Sequence, residues 1–202
     1  MLTHLDYHVF QLINHLAVTD RSLDPLMIFL SEKAEYLFFA GILFYWFFQI
    51  HKSQNRRMVV EACISACIAL AINACIGMVF YRDRPFVAHH VNWLIPHVKN
   101  ASFPSDHATA SFVIAAAIWN WRKRDGWIWL IFAAAISLSR VWTGVHYPAD
   151  VIAGMIIGVG TALVIHNSMK RFKLLNQLVV TLIAVYEKIE NLVLKRVLPS
   201  KY

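Results

Sequence analysis

Five stretches of this chain, roughly 26–50, 58–80, 105–121, 126–144 and 148–167, are each apolar over about the length needed to cross a lipid bilayer. A spanning helix takes about 20 mainly apolar residues at about 1.5 Å each. Composition points the same way: 58% of the 202 residues are hydrophobic and only 15% charged, too apolar for an ordinary soluble domain. The expected architecture is therefore all-α: a polytopic membrane bundle of five to six transmembrane helices. No linker, low-complexity tract or internal repeat divides it, so residues 1–202 read as one domain. The opening MLTHLDYH lacks the basic region and small-residue cleavage site of a signal peptide, so the first spans are expected to direct insertion themselves. Cys63, Cys67 and Cys75 fall inside one apolar stretch and are expected as small buried side chains rather than as a disulfide framework or metal site.

Two shorter helical patterns flank these stretches. Residues 2–16 carry Leu2, Leu5, Val9, Leu12, Ile13 and Leu16 at helical spacing, and residues 174–198 carry Leu175, Val179, Leu182, Val185, Ile189 and Val193 on one stripe. Both are amphipathic and can either lie at the membrane interface or pack against the bundle, and the first could also insert as a sixth span. Lys and Arg mark the cytoplasmic loops. Lys52, Arg56 and Arg57, then Arg122, Lys123 and Arg124, then Lys170, Arg171 and Lys173 all fall on one side, which is assigned to the cytoplasm. The net charge of +7 is then explained by topology and by contact with anionic membrane lipids. No nucleic-acid partner is expected, because no basic face with interleaved aromatics lies outside these loops.

On the opposite side, four polar clusters sit at the helix ends: YRDRPF (Tyr81 to Phe86), PSDH (Pro104 to His107), SR (Ser139 and Arg140) and HYPAD (His146 to Asp150). They converge on one layer just inside the outer interface, where ionisable groups are costly and mark function. Each has a plainer reading alone: Ser105 and Asp106 could cap a helix, Arg84 and Arg140 could be interfacial anchors, and either histidine could be structural. Together they suit an oxyanion. Two guanidinium forks and a helix N-terminus bind phosphate, and a histidine with a carboxylate four residues on, as His146 and Asp150 are, makes an oriented nucleophile. A second histidine, His107, can protonate the leaving oxygen. Glu32, Lys33 and Glu35 read as a solvated or headgroup-level face without chemistry. His89, His90 and His97 invite a zinc reading, but their spacing matches no closed ligand pattern, so neither a metal nor another cofactor is expected.

These clusters resemble the three-part signature of the type-2 phosphatidic-acid phosphatase superfamily: Lys–x6–Arg–Pro, Pro–Ser–Gly–His, and Ser–Arg–x5–His–x3–Asp. The third part is complete as SRVWTGVHYPAD (Ser139 to Asp150), the second appears as PSDH and the first as Arg84–Pro85. The resemblance runs from about residue 77 to residue 150. It implies His146 as nucleophile, Asp150 as its orienting partner, His107 as general acid, and Arg84, Arg140, Ser105 and Ser139 as phosphate ligands. The chain departs from the pattern twice. Gly77 stands where the family has lysine, leaving Arg82 as the nearest replacement cation. Asp106 stands where the family has glycine, placing a carboxylate that should repel phosphate unless it pairs with Arg82 or orients His107. PSDH, the missing lysine, the FVAHH and LIPH stretches and the small size look most like bacterial undecaprenyl-diphosphate phosphatases of the bacitracin-resistance type. That likeness implies a polyprenyl diphosphate substrate cleaved at the outer leaflet in support of cell-wall synthesis. A broader phosphatase of phosphatidylglycerophosphate or phosphatidic acid, and a non-enzymatic lipid or anion carrier, are the alternatives.

Overall fold

All five apolar stretches form helices in the computed structural model, which describes residues 2–48 and 50–197. In chain order the helices are α1 (Leu2–Thr19), α2 (Asp24–Glu32), α3 (Glu35–Phe47), α4 (Lys52–Val79), α5 (Pro85–Ala88), α6 (Asp106–Trp121), α7 (Lys123–Trp142), α8 (Pro148–Arg171) and α9 (Lys173–Val197). Leu198, the end of the C-terminal pattern, lies outside the described residues.

The stretch 26–50 is not one helix. It breaks at Lys33 and Ala34 into α2 and α3. The break frees the carbonyl of Ser31 from the helical ladder, and Arg140 takes it at 2.7 Å; the end of a helix always leaves carbonyls in need of such partners.

α6 lies at the centre, packed on α4, α7 and α8. Its buried Ala116 and Ala117 meet Ala62 and Ala69 of α4 and Ala162 of α8, and small residues of this kind let membrane helices approach closely. Gly154 and Gly158 bring α8 nearest. A Cβ at either would lie 2.7 Å from a backbone oxygen of α6's first turns, Ser105 O or Thr109 O. Larger residues there would push α8 off α6 and move the start of α8, where Asp150 stands.

The outward surface is apolar. α4 and α8 are long and apolar enough to cross a membrane, yet only 22% and 33% of their most apolar windows are buried, so they are not core helices of a soluble fold. Leu43, Phe44, Ile72, Ile156 and Val164 all project outward, as side chains facing lipid tails do. The three cysteines sit on this surface: Cys63, Cys67 and Cys75 are free and exposed rather than buried. α4 turns the stripe Met58, Ala62, Ser65, Ala69 and Asn73 inward, which points the cysteines out.

Both terminal helices pack on the bundle. Phe10 of α1 is buried with Ala108, Val141, Tyr147 and Val151. Asn14 ties α1 to the end of α7 and to the α5–α6 connection, donating to Trp142 O at 2.7 Å and Asn92 O at 2.9 Å. At the far end, α9 sets Val179 and Ile183 on Met169 of α8. Arg56 of α4, fully buried, binds Glu187 at 3.1 Å and Glu190 at 2.8 Å of α9.

Candidate active site

α7 ends in a turn that reverses the chain into α8, and this turn sets His146. Gly144 has φ of +81°, the left-handed conformation that ends many helices and that glycine adopts without strain. Val145 N and His146 N both return to Arg140 O, at 3.2 and 3.3 Å. Pro148 then opens α8, and the third helical residue, Asp150, accepts the Tyr147 amide at 2.9 Å, a carboxylate reaching back to cap its own helix.

His146 is 2% exposed. Its Nδ1 lies 2.9 Å from the Ser102 carbonyl oxygen, which can only accept. That contact assigns the proton to Nδ1 and the lone pair to Nε2. Nε2 faces Arg84 Nη1 at 3.0 Å. Asp150 approaches the ring less closely, at 3.5 Å from Nδ1, so its effect on the imidazole is mainly electrostatic. Its carboxylate is otherwise held by the Ser102 hydroxyl and by Arg82 Nη1 at 2.9 Å.

Arg84 is positioned by Asn100 Oδ1 at 2.9 Å, Val145 O at 3.0 Å and Ala101 O at 3.2 Å. Arg140 is 2% exposed and gives Nη1 to Ser31 O and Ser31 Oγ at 2.7 and 2.9 Å, while its Nε and Nη2 are buried with no partner among the described residues. Burial and the charges of Arg140 and Arg84 hold His146 well below the usual imidazole range, so it is neutral at physiological pH.

The other sequence-derived residues fall around this centre. Ser105 is fully buried at the N-cap of α6 and accepts from Ala108 N at 3.5 Å; its own amide donates to Asp150 O at 3.1 Å. Ser139 donates to Ile136 O at 2.7 Å, satisfying its hydroxyl within α7. His107, on the first turn of α6, has Nε2 at 3.4 Å from Glu35 Oε2.

Arg82 and Asp106 do not pair. Arg82 is drawn between two carboxylates, Asp150 and Asp6, the latter at 2.6 Å, and lies 3.7 Å over the Tyr147 ring. In this structure both ends of its guanidinium are thus paired with protein carboxylates. Asp106 is exposed and accepts from Asn73 Nδ2 at 3.0 Å.

Sequence reasoning missed Ser31, Glu35, Ser102 and Asp6. Asp6 also accepts the Ala149 amide at 2.8 Å, bonding α1 to the first turn of α8. The three loop histidines are dispersed: His89 stacks on Tyr7 at 4.0 Å between centroids, and His97 sets its ring 6.3 Å from that of His146. Among the described residues no group of three or more His, Cys, Asp or Glu side chains is placed to hold a metal ion.

His97 carries a stability prediction. Burial, with Arg84 and Arg140 adding to it, lowers its pKa to about 4. An unfolded histidine titrates near 6.5, so between those values the unfolded chain binds more protons and stability falls as pH falls. His146 acts in the same sense. Thermal unfolding of the detergent-solubilised protein should lose stability from pH 6.5 towards 4, and His97→Gln should flatten that slope; an unchanged slope would locate the titration elsewhere.

Residues 58–174 match the family model described as the PAP2 superfamily. The chain is 36% identical to the bacitracin transport permease protein BcrC of Bacillus licheniformis, over 98% of this chain and 94% of that one. It is also 36% identical to the undecaprenyl-diphosphatase BcrC of Bacillus subtilis strain 168, over 95% and 97% respectively. The crystal structure of Aquifex aeolicus LpxE shares the fold, with a TM-score of 0.70 at 24% identity over 81% of this chain and 95% of that one.

Proposed function

The chain belongs to the PAP2 superfamily as a membrane phosphatase, and on that premise we propose that it removes the terminal phosphate of undecaprenyl diphosphate at the outer face of the membrane, through a phosphohistidine on His146. The observation that carries the mechanism is His146 itself: buried, with Nδ1 occupied by the Ser102 carbonyl and Nε2 turned towards Arg84. The substrate is inferred from near full-length likeness to an undecaprenyl-diphosphatase.

In this reading Nε2 attacks the terminal phosphorus in line. The bond from phosphorus to the bridging oxygen breaks, and His107 delivers a proton to that oxygen, releasing the lipid monophosphate. His107 then takes a proton from water as the water attacks the phosphohistidine, freeing inorganic phosphate and His146. Arg84, the open donors of Arg140 and the first amides of α6 stabilise charge on the equatorial oxygens, the dominant need in phosphoryl transfer. Arg84 gives up its contact with Nε2 as the phosphate enters. Asp150 and Ser102 hold the imidazole in its tautomer, and Asp6 holds Arg82 against Asp150. No step requires a metal.

The topology that fits has five crossings, α2 with α3 forming the first and α4, α6, α7 and α8 the rest, in one domain. The basic loops then lie in the cytoplasm and His146 opens to the outer leaflet.

Phosphate release from undecaprenyl diphosphate by purified protein in excess EDTA tests the reading, with phosphatidic acid and phosphatidylglycerophosphate as competing substrates. Faster turnover of the isoprenoid diphosphate, undiminished by EDTA, is expected. Preference for a glycerolipid would make the protein a broad lipid-phosphate phosphatase, and loss of activity in EDTA would overturn the metal-free mechanism.

Glu35 gives a narrower test. Its carboxylate stands 3.4 Å from His107 Nε2, where it can orient the ring that delivers the proton. Glu35→Gln should lower kcat by about tenfold with KM unchanged, the split expected when a proton donor is misoriented, while leaving the fold intact. An unchanged kcat would reduce Glu35 to a surface contact.

A further inference from the structure

At the end of the bundle remote from His146, α4, α6, α8 and the start of α9 enclose a second polar cavity of about 490 Å³. A buried pair forms its floor. Glu61 is 5% exposed and His166 8%, and His166 Nδ1 stands 2.8 Å from Glu61 Oε2, which also accepts the Trp121 indole N–H at 2.8 Å. Sixteen residues of α8 separate Asp150 from His166, about 24 Å at 1.5 Å per residue, so this cavity is distinct from the His146 site. Nothing in the phosphatase mechanism uses it. Ionisable groups buried between membrane helices are costly and mark a functional site.

Charge decides what it can hold. Glu61 is answered by His166 and by an indole N–H. The two cations that line the cavity are not answered. Arg57 lies over the Trp121 ring at 5.3 Å and donates to the neutral amide of Asn176, while Lys170, in the last turn of α8, is exposed; neither pairs with a carboxylate among the described residues. The cavity therefore keeps two positive charges, one of them a planar guanidinium fork suited to phosphate. Arg57 and Lys170 belong to the basic clusters that place this end in the cytoplasm, at the depth where inner-leaflet headgroups lie.

We propose that this cavity binds the phosphate-bearing headgroup of an anionic phospholipid of the inner leaflet. Basic pockets between transmembrane helices on the cytoplasmic side take such headgroups. The lipid would be held rather than hydrolysed: the one histidine of the cavity is committed to Glu61. Because the α9 residue Asn176 shares Arg57 with the cavity, an occupied site would also fasten α9 to α4.

Native mass spectrometry of the full-length protein in detergent tests this, titrating phosphatidylglycerol against phosphatidylcholine of the same acyl chains. The parent should retain phosphatidylglycerol at least about tenfold more tightly, a difference of about 1.4 kcal/mol. Arg57→Gln/Lys170→Gln should bind the two lipids alike, and Arg57→Lys should keep most of the preference. Lys170→Gln alone, at an exposed position that folding does not need, should lose part of it. Equal binding by the parent, or a preference that survives the double substitution, would overturn the proposal. Displacement of the lipid by millimolar inorganic phosphate would overturn the headgroup assignment in favour of a free anion.

Discussion

Replacing His146 with alanine should lower phosphate release by at least about 10⁴-fold, the scale seen when a covalent nucleophile is deleted, while leaving a folded, extractable protein. The argument is positional. Among the described residues His146 is the one buried imidazole with a carbonyl fixing Nδ1 and a guanidinium 3.0 Å from Nε2, and no other side chain described in the site would supply a nucleophile to a phosphate bound as proposed. Its loss cannot be covered by His107, which the mechanism places at the leaving oxygen, on the side of the phosphorus opposite to in-line attack. Rapid quench of the parent with terminally labelled undecaprenyl diphosphate should trap acid-labile phosphate on the protein, and the alanine variant should trap none. Turnover within a few-fold of the parent would sink the phosphohistidine mechanism. His146→Gln, which keeps a polar side chain against Ser102 O, separates a chemical defect from a folding one.

What the sequence could and could not show follows a physical division. Helix positions were legible because lipid demands long apolar runs and because Ser105 and Pro148 are local start signals. The approach of Arg84 to His146 and Asp150 was legible from the order of the spans and their ends, and the three lie 3.0 and 3.5 Å apart through His146. The break between α2 and α3 was not. Glu32, Lys33 and Glu35 look like headgroup-level residues, and only the partner that arrives from α7, Arg140, explains why the chain opens at Ser31. The role of Arg82 was hidden for the same reason. Local sequence makes it a cation near the site, but its partner Asp6 lies 76 residues away on a helix whose own pattern says only that it is amphipathic. Residues supplied by tertiary approach leave no spacing to read.

Arg140 yields the second large effect, and with it a trade of stability for function. Its guanidinium is almost wholly buried and bonds one serine, and among the described residues it pairs with no carboxylate and finds no acceptor for Nε and Nη2. A buried donor left unmade costs about 1–3 kcal/mol, more when charged, so the resting fold carries an unfavourable group that an apolar side chain of similar length would relieve. In the proposed mechanism the substrate completes it: a phosphate oxygen would supply acceptors to these donors and gain a charge-assisted bond that strengthens as the transition state forms. Arg140→Met should therefore cut phosphate release by about 10²–10³-fold, the cost of losing one preorganised oxyanion donor. It should also raise the melting temperature of the substrate-free protein, even after the loss of the bond to Ser31 O. Vanadate, which mimics the transferring phosphoryl group, should stabilise the parent and not the variant. Thermal unfolding with and without vanadate reads both halves. A variant that melts below the parent in the absence of anion would mean that Arg140 serves the fold first, holding α2 to α7 through Ser31, and the site only second.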